Sequence, residues 1–257
     1  MDADLFVLTP LFFVVALLYS SAGFGGGSSY LAILALFSLE YATIKATALL
    51  CNIMVVSNGT YLFAKAGHLN LKKIAPLIIL SIPLAYLGGR IALKESIFFI
   101  TLGIVLLVVT LLLLFPIQQN QSKQPKHNNV LINGLIGGGI GFLSGLVGIG
   151  GGIFLAPILH LSRWDKAKAI AGTASLFILV NSIAGLIGQA SKSEFTIPWS
   201  LLSALLIAVF LGGQIGSRIS STWLSPQRIK QITAVLIFIV AIRILVKYLP
   251  PVFASFV

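Results

Sequence analysis

The sequence predicts an all-α polytopic membrane protein made of two homologous halves, and three observations carry that reading. Of its 257 residues, 58% are hydrophobic and 9% charged, with a mean hydropathy of +1.04. A soluble domain carries about a quarter charged residues. Apolar runs cover roughly 5–37, 44–66, 74–93, 97–117, 131–161, 168–190, 197–219 and 229–249. Stretches of about 18 residues or more are long enough to cross a ~30 Å hydrocarbon core. Backbone in lipid must satisfy itself, so only helices or closed barrels span. These runs are continuous and lack the ~10-residue alternating segments of a barrel, which excludes one. The third observation is a repeat.

Shifted by 125, Gly23–Gly27 falls on Gly148–Gly152 and Glu40 on Asp165. With one more residue of shift, Ala46-Thr47-Ala48 meets Gly172-Thr173-Ala174 and Gly59 meets Gly185; further along, Gly88-Gly89-Arg90 matches Gly216-Ser217-Arg218. Glycine-interrupted spans at equivalent positions of two halves are characteristic of secondary transporters. The halves are 1–117 and 131–257, each with about four main spans. Residues 118–130 form a Gln/Asn-rich polar linker, a composition that cannot sit in lipid.

Taken in order, the N-terminus carries Asp2 and Asp4 and no basic residue before the first run, opposite to a cleavable signal peptide, so that run is expected to stay. The first and fifth runs are too long for one helix, and Gly23-Phe24-Gly25-Gly26-Gly27 and Gly148-Ile149-Gly150-Gly151-Gly152 break them. Lys and Arg fall mostly in short loops, so the net charge of +11 suits topology and anionic lipid, not nucleic acid. Equivalent loops differ in charge: Lys65, Lys72 and Lys73 face only Lys192, while Lys45 alone faces Arg163, Lys166 and Lys168. Opposed halves put this charge mostly on one side, which points to an inverted repeat with extra short or re-entrant segments at the glycines. Cys51 has no disulfide partner and no metal-ligand pattern around it, and no metal or cofactor is expected.

The paired G-x-G-G-G is the strongest local signal. Triple glycine readily unwinds a helix, and a helix restarting at Ser28 or Ile153 presents free N–H groups and a positive dipole end, an anion site that needs no cation. The competing reading is packing: Gly134, Gly138, Gly141, Gly145, Gly148 and Gly152 recur every three or four residues, as in close-packed membrane helices. No Gly-Lys-Ser/Thr follows either cluster, so a nucleotide loop is excluded.

Polar residues within the spans complete the candidate set. The substrate-binding candidates are Gly25, Gly26, Gly27, Ser28, Ser29, Asn52, Asn58, Gly150, Gly151, Gly152, Ile153, Thr173 and Asn181. An Asn amide needs partners that lipid cannot give, whereas Ser and Thr can simply bond the preceding turn. Arg90 and Arg218, at equivalent helix ends, either snorkel to headgroups or form a cationic mouth of the pathway. The acids Asp2, Asp4, Glu40, Glu95, Asp165 and Glu194 all lie in termini or loops. Proton- and sodium-coupled carriers usually hold a carboxylate in the membrane; amides, hydroxyls and helix N-termini without one favour an anion.

The segments SSAGFGGGSSYLAIL (20–34) and SGLVGIGGGIFLAPIL (144–159), with the repeat, the length and the linker, resemble the TauE/SafE sulfite-exporter-like permeases over nearly the whole chain. The resemblance implies a multi-pass protein of a prokaryotic plasma (inner) membrane that exports sulfite, sulfonates or similar small sulfur-containing anions. The expected partners are that small anionic substrate and membrane lipid. Two alternatives are an assembly subunit that transports nothing and an intramembrane enzyme. The enzyme lacks an acid/base set: the spans hold no paired carboxylates, no H-E-x-x-H and no Ser/His pair, and no catalytic residue is assigned.

Overall fold

The computed structural model describes residues 2–21, 25–37, 39–114, 129–192, 199–218 and 226–254. Within them every regular element is a helix: α1 (Asp2–Ser21), α2 (Gly27–Leu34), α3 (Tyr41–Lys65), α4 (Leu71–Arg90), α5 (Glu95–Leu114), α6 (Val130–Val147), α7 (Gly152–Leu161), α8 (Ala167–Ala190), α9 (Trp199–Arg218) and α10 (Pro226–Ala254). Six of them, α3, α4, α5, α6, α8 and α9, are long and apolar enough to cross a membrane. The first and fifth runs each divide into a long helix and a short one, α1 with α2 and α6 with α7. At ~1.5 Å per residue, the eight residues of α2 and ten of α7 reach only part way through a bilayer. Most of the linker lies outside the described residues. Its end is a helix start, where Asn129 accepts from the N–H groups of Leu131 and Ile132 and caps α6.

The packing follows from where small residues let backbones meet. A Cβ on Gly137, Gly141 or Gly145 would lie 2.1, 2.5 or 1.9 Å from the carbonyl oxygens of Leu77, Ser81 and Ala85. So α6 runs beside α4 in the same direction, backbone against backbone. A like contact joins α9 to α1, with Gly212 and Gly216 of α9 against Phe13 and Leu17 of α1. The small-residue stripe on α6 is therefore a packing surface, while the clusters that follow it are breaks with left-handed backbone. Close packing and helix breaking thus fall to different glycines.

At the centre α3 crosses α8 in opposite directions. Gln189 Nε2 donates to the Ala42 carbonyl at 2.7 Å near one end, and Thr60 Oγ1 meets Ser175 Oγ at 3.1 Å towards the other. α5 and α10 are opposed in the same way: Tyr248 donates to Glu95, while Gly103 packs on Leu245. α3 and α8 therefore run antiparallel, as do α5 and α10.

Several residues read as loop or terminal lie in helix ends: Asp2 and Asp4 in α1, Lys65 in α3, Lys72 and Lys73 in α4, Glu95 in α5 and Lys168 in α8. Lys45, read as a loop residue, lies in the second turn of α3 and is 3% exposed, because the helix begins at Tyr41, before the apolar run does.

Candidate functional site

Both short helices begin at the molecule's centre. Gly26 caps α2 with φ 87° and Gly151 caps α7 with φ 82°, a left-handed backbone that costs a side chain about 1–2 kcal/mol. Gly148 and Gly150 are left-handed as well, at φ 92° and 84°. α2 then runs to the end of the molecule where α3 begins, and α7 to the end where α8 begins. Their N-termini therefore converge. In a helix the first N–H groups have no intrahelical acceptor; here those are Gly27 and Ser28 on one side, Gly152 and Ile153 on the other.

Asn52 joins the two breaks. Its Nδ2 donates to the Ile149 carbonyl at 3.0 Å, and its amide lies against the positions where Gly25, Gly27 and Gly150 would carry a Cβ, at 2.8, 2.3 and 2.9 Å. It is fully buried, with Oδ1 lacking a partner. On α8 the pseudo-equivalent residue is Ile178, which touches Gly25, Gly150 and Gly152 in the same manner. One turn on, Val56 meets Gly25 and its counterpart Ser182 meets Gly150. The site is thus symmetric in backbone and asymmetric in chemistry: Asn52 and Ser182 are polar, Ile178 and Val56 apolar. Among the described residues the buried hydroxyls of Ser182, Ser28 and Ser144 have no partner, an expensive condition.

The breaks touch. A Cβ on Gly27 would lie 2.5 Å from the Ile149 carbonyl oxygen, so nothing fits between them until the halves part. A cavity of about 380 Å³ lies elsewhere, where α2 ends, α5 begins and α10 ends, lined by Glu40, Glu95, Arg243, Lys247 and Tyr248 among others.

Of the sequence candidates, Gly25, Gly26, Gly27, Gly150, Gly151, Gly152 and Asn52 come together here. Ser28 and Ser29 lie buried in the first turn of α2, and Ser29 bonds Tyr19 of α1 at 3.0 Å. Ile153 is half-buried in the first turn of α7. Asn181 is fully buried beside Ser182 and turned back on the Phe177 carbonyl. Asn58 and Thr173 lie apart from the breaks: Asn58 donates to Ser217 of α9 at 3.0 Å, and Thr173 bonds the preceding turn at Ala169. Arg90 and Arg218 are exposed, at opposite ends of the molecule. Reading the sequence missed that Ser182 and Ile178 lie against the breaks and that the Lys45 stem packs on Gly148. Spacing could have found the first two, since the offset of 126 that aligns Thr47 with Thr173 also aligns Asn52 and Val56 with them.

At the end where α4 and α8 begin, Lys73 pairs with Asp165 Oδ2 at 2.6 Å, donates to the Trp164 carbonyl and lies 4.3 Å from the Trp164 ring. Partial burial pulls the Asp165 carboxyl up. The Lys73 hydrogen bond, the Lys166 N–H and both lysine charges outweigh that and hold it below its ordinary value.

Residues 8–244 match the sulfite exporter TauE/SafE family. A probable membrane transporter protein of Sinorhizobium fredii is 36% identical over 95% of this chain and 100% of its own length. One from Methanocaldococcus jannaschii is 26% identical, covering 90% and 92%, and one from Bacillus subtilis, YjnA, is 29% identical, covering 75% and 82%. No solved structure matches the chain.

Proposed function

The chain belongs to the sulfite exporter TauE/SafE family and is a multi-pass plasma-membrane transporter, and from that premise we propose that it exports small sulfur-containing anions such as sulfite or sulfonates. The observation that carries the proposal is the meeting of two oppositely directed helix N-termini at Asn52, where buried hydroxyls lack partners. Such a site offers N–H groups and positive dipole ends to an anion and holds no carboxylate to take a cation.

The halves, 1–117 and 131–257 joined by 118–130, act as an inverted repeat. Supporting this is the opposed course of α3 and α8. Among the described residues, Lys65, Lys72, Lys73, Arg163, Lys166, Lys168 and Arg218 share one end with Asp165, and Lys45, Arg90, Lys94, Lys192, Arg243 and Lys247 share the other with Glu40 and Glu95, so the first end is the more basic. The basic end faces the cytoplasm. Transport is then a rocking of the halves that opens the closed breaks to one side at a time.

Asp2, Asp4 and Glu95 stand in the first turns of α1 and α5 and no carboxylate lies deeper in a described helix, so the membrane potential supplies the drive. About 2.3 kcal/mol per charge at 100 mV corresponds to a gradient of roughly fifty-fold. The test is efflux of labelled sulfite from proteoliposomes whose potential is clamped with potassium and valinomycin. Efflux should accelerate as the interior becomes more negative. Efflux that ignores the potential and follows an imposed pH gradient would overturn electrogenic export, and absence of sulfite or sulfonate flux would overturn the cargo.

A further inference from the structure

Lys45 is a buried lysine with no carboxylate partner among the described residues. It is 3% exposed, and Nζ donates to the Gly89 carbonyl at 3.3 Å. No carboxylate among the described residues pairs with it; the Lys73–Asp165 ion pair stands at the opposite end of α4. Its charged neighbour on the same helix end is another cation, because Lys192 donates to the Ile91 carbonyl at 3.1 Å. An unpaired charge inside a membrane protein is costly and marks function by default. One neutral carbonyl, even at the negative end of a helix, leaves that charge uncompensated.

Lys45 is also tied to the site by the second break itself. Its Cγ lies 2.8 Å from where Gly148 would carry a Cβ; Gly150, two residues on, meets Asn52 and the Ser182 hydroxyl, and Gly151 meets Ser144. The four residues 148–151 thus lead from the Lys45 stem to three buried atoms with no partner among the described residues: Asn52 Oδ1, Ser144 Oγ and Ser182 Oγ; the ammonium itself rests on the Gly89 carbonyl. Lys45 and Asn52, seven residues apart, share a face of α3 at a separation of about 10 Å.

We infer that Lys45 is the charge partner of the transported anion: the fold leaves this cation without a counter-ion because the substrate supplies it. The inference rests on the anion-transport reading. When the breaks part, the anion lies between the Lys45 ammonium and the hydroxyls of Ser144 and Ser182. This adds a fixed positive charge to a site that the helix ends alone make only partly positive, and it does so in one half only, since Ala171 is the counterpart of Lys45 in the second.

The rival role is a cap on the last carbonyls of α4, which would alter stability and leave substrate affinity alone. Lys45→Met keeps the stem and removes the charge, while Lys45→Arg keeps the charge. In proteoliposomes, Lys45→Met should raise the half-saturating sulfite concentration tenfold or more, and Lys45→Arg should hold it within about threefold. In detergent, sulfite should raise the melting temperature of the unaltered protein and of Lys45→Arg but not of Lys45→Met. If Lys45→Met does not fold, Lys45→Gln, which can still donate to Gly89, carries the same comparison. Wild-type half-saturation in the neutral variant, or equal loss in Met and Arg, would overturn the inference. Should the unaltered protein move no sulfite yet be stabilised by it through Lys45, the cargo reading falls and the Lys45 site stands. If the unaltered protein neither moves sulfite nor is stabilised by it, both fall.

Discussion

Gly27→Ala isolates the contact between the two breaks. Gly27 is not left-handed, so the substitution brings no backbone strain and its whole effect is steric. The new Cβ would lie 2.3 Å from Asn52 Nδ2 and 2.5 Å from the Ile149 carbonyl oxygen. Asn52 is fully buried and Ile149 presents backbone, so neither can swing clear. Overpacking of this kind costs about 1–3 kcal/mol, and losing the Asn52–Ile149 hydrogen bond costs about 1 more. At a total near 3 kcal/mol the closed arrangement loses roughly a hundredfold in population. A transport cycle that passes through it slows accordingly. The control is Gly67→Ala, where φ is +71° but nothing lies within 4 Å, so about 1–2 kcal/mol of strain arises far from the site. Labelled sulfite flux in proteoliposomes and melting in detergent are measured for both. Gly27→Ala should lose most of its flux and Gly67→Ala should keep it. Wild-type flux in Gly27→Ala, with melting no lower than that of Gly67→Ala, would refute the closed contact as part of the mechanism.

Two further predictions concern the Lys73 end. Asp165→Asn removes a pair whose side chains are 19% and 25% exposed, and should cost about 1–2 kcal/mol, the scale of a charged hydrogen bond, read as a lower melting temperature. Because the Asp165 carboxyl sits below its ordinary value when folded, its contribution is present above the unfolded value of ~3.9 and is lost as pH falls through the lower folded one. The difference between the two proteins should stay flat from about pH 7 to 5 and shrink only below about 4; a difference that shrinks near neutrality would contradict the pairing. Single cysteines at Lys72 and Lys166, in a Cys51→Ser background, should be labelled from the same side of the membrane, the cytoplasm, and labelling from opposite sides would defeat the inverted repeat.

Much of the fold was legible because membrane helices leave a strong sequence signal. Continuous apolar runs set the helices, and the glycine clusters marked where α1 gives way to α2 and α6 to α7. Less legible was what one apolar run meets in another. Asn58 and Asn52 sit six residues apart on one helix and look alike in sequence, yet one bonds Ser217 of α9 and the other bridges the two breaks. Thr173 has only its own helix for a partner. Hydropathy also misplaced Lys45: a lysine before an apolar run reads as a loop residue, but the helix starts earlier and α4 and α6 close over it.

That error has a physical moral for the site. The repeat shows which positions correspond, and the offset of 126 carries Asn52 to Ile178, Val56 to Ser182 and Lys45 to Ala171. Each exchange swaps a polar side chain for an apolar one while the glycine backbone around it stays the same. Two equal half-sites would bind an anion equally from either half and give it no reason to prefer one orientation. Here Lys45 and Asn52 come from α3, Ser144 from α6 and Ser182 from α8, so parting α3 from the second half would separate the cation from the two hydroxyls. A substrate held by both would resist that separation, and one held by neither would not. The contact between Gly27 and Ile149 and the Asn52–Ile149 hydrogen bond join the two breaks across this same gap.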